Sequence, residues 1–125
     1  MKSSPENLES GNELAWFLAT CPDDKLRNGQ EALKKAQWVV SLAPRANWID
    51  TLAAAQAEAG DFSTAVATEI KAKQAAATSE WGVSAGDQIA GFDDCIAAYQ
   101  LNLTYRQAVD KGRIHDPKEN LPYDD

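Results

Sequence analysis

The residues best suited to chemistry are few and scattered. Cys21 and Cys95 stand 74 positions apart, and neither belongs to a Cys-x-x-Cys pair or to a zinc-ligand spacing. They read as two buried or partly buried thiols; a disulfide between them would need their Cα atoms within about 7 Å. His115, the single histidine, lies beside Asp116 with no serine or cysteine near it. It reads as a solvated tail residue rather than the base of a nucleophilic triad. The acidic pairs Asp23-Asp24, Asp93-Asp94 and Asp124-Asp125 are sequence neighbours. Adjacent residues on a helix point in different directions, so Asp93-Asp94 makes a poor metal site. There is no His-Glu-x-x-His pair, calcium-loop aspartate run or phosphate-binding glycine loop. Asn102-Leu103-Thr104 fits a glycosylation pattern but falls inside a predicted helix. The expectation is a protein without catalytic residues, metal or cofactor, and not an enzyme.

Bulk properties narrow the partners. The 125 residues fit one domain, and 44% apolar with 25% charged residues is a globular composition. A net charge of −7 argues against nucleic acid, which selects basic patches, and against anionic membrane surfaces. No window approaches the 18 apolar residues of a membrane span. The opening MKSSPENLESGNE has no apolar core of a signal peptide, so a cytoplasmic location is expected.

The elements that must position any site are helices. Residues 1–9 read as a flexible lead-in. A first helix starts near Ser10 and carries Leu14, Trp16, Phe17 and Leu18 until Pro22 stops it. A second runs from about Gln30 to Leu42, with Ala32, Leu33, Ala36, Val39 and Val40 at three-and-four spacing, and ends before Pro44. A third spans about 47–59 and ends at Gly60-Asp61. A fourth runs from about Ser63 to Ala77, followed by a loop over 78–86. A fifth covers 87–106, with Ile89, Phe92, Ile96, Tyr99 and Leu103 on one stripe. Residues 108–125, with Gly112, Pro117 and Pro122, read as an extended acidic tail. No segment alternates with period two for long enough to form a sheet, so the class is all-α.

The helices repeat. Leu14–Ala19 aligns with Leu52–Ala57, and Ala32-Leu33 with Ala65-Val66. The offsets are 38 and 33 residues, and the difference falls in the first hairpin loop, CPDDKLRNG. The alanine-rich stretch 48–76 suits helices that approach to about 8–10 Å. Leu52-Ala53, Gly60-Asp61-Phe62, Ala65 and Ala72 together resemble the tetratricopeptide repeat. Leu14 to Asp23 further resembles a bacterial subtype whose first hairpin begins LAWxLATCPD. The resemblance covers about 12–107. It implies an α-α superhelix of two hairpins, about 10–44 and 46–78, closed by a C-terminal capping helix at about 87–106. Gln56 and Glu69 depart from the pattern, which favours aromatic residues there; Glu69 is expected to pair with Lys73 at i,i+4.

In that arrangement the first helices of the hairpins line a concave face. Asn12, Trp16, Asn47, Asp50, Ala54 and Glu58 are its expected exposed residues, without lysine or arginine on those helices. The face would suit an apolar or basic peptide or a partner helix. Trp16 is either an anchor in this groove or a packing residue. Trp38 and Trp48 are expected to staple the junction between repeats. Trp81, in the loop, either folds back on the fifth helix or marks an interface. Two hairpins form a short stack, so the alternative to a peptide-binding module is self-assembly, as a homodimer, through end faces or the tail PKENLPYDD.

Overall fold

The structure, a computed structural model, describes residues 5–78 and 85–114, with side chains over 8–77 and 91–114. The described residues form an all-α fold. Its helices are α1 (Pro5–Thr20), α2 (Gly29–Leu42), α3 (Ala46–Glu58), α4 (Phe62–Thr78), α5 (Ala85–Gln100) and α6 (Tyr105–Asp110).

Local chemistry sets the boundaries. Helix α1 begins at Pro5, inside the stretch read as a lead-in; proline suits a first helical position, where no partner awaits its missing N–H. Asn28 caps α2, its side chain accepting from the Glu31 N–H. Three helices end in the same left-handed motif. At α3 the Gly60 N–H bonds Ala57 O and the Asp61 N–H bonds Gln56 O, with Gly60 at φ 96°. At α6 Gly112, φ 75°, repeats the pattern with Val109 and Ala108.

The third instance corrects the sequence reading. The fifth helix does not continue to Arg106. It stops at Gln100, where Asn102 takes φ 60° and the Asn102 and Leu103 N–H groups bond Tyr99 O and Ala98 O. Asparagine tolerates this conformation better than most residues. Thr104 then starts α6 with a capping box: its hydroxyl accepts from the Gln107 N–H, and the Gln107 side chain accepts from the Thr104 N–H. The segment 108–114 is accordingly not extended; Ala108 lies within α6 and Ile114 is buried.

Each of the first five helices packs on the next, and α1 also packs on α3. The main core is built from small residues: Ala15, Ala19, Ala32, Ala36, Ala53, Ala55, Ala57 and Ala65 are essentially inaccessible. Backbone meets backbone closely at Gly29, where a β-carbon would lie 2.9 Å from Ala59 and Glu58 main-chain atoms. A second cluster joins Ile49, Ala72, Ala76 and Phe92 across α3, α4 and α5. Trp48 is buried with Leu8 and Val39, under the Arg45 guanidinium 4.6 Å from its ring. Trp38 differs from expectation: it is 36% exposed and lies over Gly11 on the outer side of the first hairpin.

Candidate functional site

The faces of α1 and α3 expected to form an open groove are partly covered by the chain itself. Helix α6 packs against α1, α3 and α5. Tyr105 meets Trp16 edge-on, with ring centroids 4.7 Å apart, a geometry that aromatic quadrupoles favour. Arg106, 5% exposed, donates from Nη1 to Thr20 O at 3.3 Å, at the C-terminal end of α1. A cation there complements the helix dipole and the last carbonyls. Arginine thus does reach this face, delivered by α6 rather than by α1 or α3. Ala54 is fully buried in the main core, so it is not an exposed groove residue.

The other expected groove residues separate. Asn12 and Asp50 are half-buried and Asn47 is exposed. Glu58 is drawn into the first loop: its Oε2 accepts from Arg27 Nε at 2.9 Å, and both side chains are 16% exposed. Arg27 also bonds Cys21 O at 2.7 Å and pairs with Asp24. The enlarged first turn is therefore fastened to the end of α3. Trp81 and His115 lie outside the described residues, as does the tail segment 117–125.

Asp50 has a different association. Its carboxylate, Glu69 of α4 and the Cys95 sulfur of α5 place one ligand-type atom each within 4.8 Å of one another. Glu69 is fully buried and does not pair with Lys73, which reaches across to Asp93 at 2.8 Å instead. Neither Glu69 oxygen makes a full hydrogen bond among the described residues. Burial, then the charge of Asp50, pushes the Glu69 carboxyl up to about 12, so it holds a proton at neutral pH. Burial and the same carboxylates push the Cys95 thiol upward, and the fully buried Tyr99 hydroxyl rises for the same first reason. Cys95 and Cys21 are both free, buried thiols. No spacing in the sequence announces this cluster, because its members come from three helices; the one signal was Glu69 itself, an acid among alanines at core spacing.

A further surface stands out on the first hairpin. Leu14, Phe17, Trp38 and Leu42 are 43%, 46%, 36% and 47% exposed. Trp38 touches Gly11, one turn before Leu14, and Leu42 is one turn beyond Trp38. The first hairpin thus exposes two apolar pairs, Leu14 and Phe17 one turn apart on α1 and Trp38 and Leu42 one turn apart on α2.

No family model, curated protein or solved structure matches the chain.

Proposed function

We propose that this chain is a protein–protein interaction module, a short tetratricopeptide-like stack of two hairpins whose outer face, on the first hairpin, docks a helix or peptide of a partner. The observation that carries the reading is the exposure of four large apolar residues on one hairpin, Leu14 and Phe17 of α1 and Trp38 and Leu42 of α2. Large apolar residues exposed together on a small surface are the usual mark of a docking site, and tryptophan is enriched among binding hot spots. The concave face is the weaker candidate, because Tyr105 of α6 packs on Trp16 and Ala54 is buried. What stays accessible there is the end with Asn12, Asn47 and Asp50, which suits a basic side chain.

Self-assembly through the same residues is the second reading. It is favoured by the charges on and near α2: Glu31 and Lys34 carry both signs, paired at 3.5 Å, so two copies need not repel there. Sedimentation of the wild type and of a Trp38→Glu variant across a concentration range separates the readings. A concentration-dependent dimer that Trp38→Glu dissolves supports self-assembly. A monomer in both leaves these residues to a different protein, and affinity capture with the same two proteins then tests that. A partner retained by Trp38→Glu, and lost on Asn47→Lys, would return the reading to the concave face.

A further inference from the structure

Three neighbouring helices each bring one metal-binding type of side chain to a single point: Asp50 from α3, Glu69 from α4 and Cys95 from α5. Two carboxyl groups and a thiol at such separations are costly for a core to gather. A buried carboxyl group without a hydrogen-bond partner destabilises a core, and more so when charged. Glu69 is such a group: it is wholly inaccessible, and among the described residues neither oxygen makes a full hydrogen bond, although Asp50 and Cys95 stand close by. A separate observation points the same way. The Tyr99 hydroxyl, one turn beyond Cys95, is also wholly buried and makes no full hydrogen bond among the described residues. It lies close enough to Cys95 to favour the thiolate. The place thus gathers acceptor atoms around the Asp50 carboxylate, and a compact positive charge that displaced the Glu69 and Cys95 protons would satisfy them.

The donor set indicates which. Calcium and magnesium take six or more oxygen ligands, and a sulfur donor suits neither. A thiolate with two carboxylates suits zinc and its first-row neighbours, which bind with three protein ligands and keep a fourth position open. Donors around a tetrahedral zinc ion lie about 3.3–3.5 Å apart, so atoms already within 4.8 Å need only small side-chain rotations. Asp50, the half-buried member, stands between the cluster and solvent and gives an ion its route inward.

We propose that Asp50, Glu69 and Cys95 form a site for one zinc-class divalent ion, with the Tyr99 hydroxyl supporting the Cys95 thiolate. The ion displaces the protons held by Glu69 and Cys95, so two carboxylates and a thiolate face a charge of +2. It ties α3, α4 and α5 together at the centre of the chain. The Tyr99 hydroxyl then has an acceptor, as supporting groups around metal ligands generally do. The inference is independent of which surface docks a partner.

The test uses the untagged full chain, stripped of metal with a chelator and titrated with cobalt(II), then zinc(II). The expected result is saturation at one cobalt per chain, with a thiolate-to-cobalt charge-transfer band that zinc abolishes. Cys95→Ser should lose the band, and Glu69→Gln should weaken binding at least about tenfold. Cys21→Ser should change neither, and circular dichroism of each variant checks that it is folded. Should Cys95→Ser not fold, the wild-type spectrum and Glu69→Gln still decide. The proposal is overturned by absence of saturable uptake, by bound cobalt without thiolate character, or by unchanged affinity in Glu69→Gln. A band that survives Cys95→Ser and disappears in Cys21→Ser would overturn it equally.

Discussion

Trp16 and Tyr105 stand 89 positions apart in the chain and meet edge to face, with ring centroids 4.7 Å apart. This contact, with the Arg106 bond to Thr20 O, holds α6 across the surface that α1 and α3 would otherwise present. Tyr105→Ala should therefore cost about 2–4 kcal/mol in urea unfolding, in the range of large aromatic truncations. Amide exchange over 105–114 should accelerate with it. Stability and exchange both unchanged would mean that α6 is not held by this contact.

Two glycines should respond oppositely to alanine. At Gly29 the added methyl meets the backbone of Glu58 and Ala59 at 2.9 Å, and backbone cannot swing aside. Gly29→Ala should destabilise by about 1–3 kcal/mol. At Gly91, exposed and inside α5, nothing lies within 4 Å, so alanine should stabilise by up to about 1 kcal/mol. Thermal unfolding of the two variants beside the wild type checks the pair.

The break between α5 and α6 depends on its cap. Thr104→Ala removes the acceptor of the Gln107 N–H and should cost about 1 kcal/mol. Thr104→Ser keeps the acceptor and should cost less than half of that. Equal losses in both would show that the hydroxyl bond contributes nothing.

Much of the fold is readable from particular residues. Gly60 ends α3 and Pro44 follows α2, as the sequence requires, and the alanines at 53, 57, 65 and 72 are buried as close packing demands. The break after Gln100 was missed because the apolar stripe through Tyr99 and Leu103 has helical spacing; Thr104-x-x-Gln107 carries the counter-signal in its capping chemistry. The candidate site was less legible. Ala54 reads as exposed on repeat spacing, yet it is buried in a core cluster that also holds Tyr105 and Ala108 of α6, a convergence that no local pattern encodes. The convergence of Asp50, Glu69 and Cys95 is likewise tertiary. Glu69 alone gave warning, and an i,i+4 partner in Lys73 offered a bland explanation that the structure does not support.

Glu69 also gives the protein a pH signature. Its carboxyl is raised to about 12 in the folded state, by burial and then by the Asp50 charge, against roughly 4.3 in an unfolded chain. Between those values the native state keeps a proton that the unfolded state has released. The associated stability is complete below about pH 4 and declines as pH rises, by up to about 1.4 kcal/mol per unit. In chelator-treated buffer from pH 6 to 8, where other carboxylates no longer titrate, wild-type stability should fall. Glu69→Gln should flatten the profile. Parallel profiles for the two proteins would contradict the assignment of the proton to Glu69.

The interaction reading is tested most directly by a photo-crosslinking side chain in place of Lys34, which is exposed one turn before Trp38 on α2. A second version carries it in place of Lys71, exposed on α4. Illumination in the native cell should give a discrete adduct from position 34 and not from position 71. The adduct's mass then distinguishes a different protein from a second copy of the chain. No adduct at position 34 above that at position 71 would contradict docking on the first hairpin.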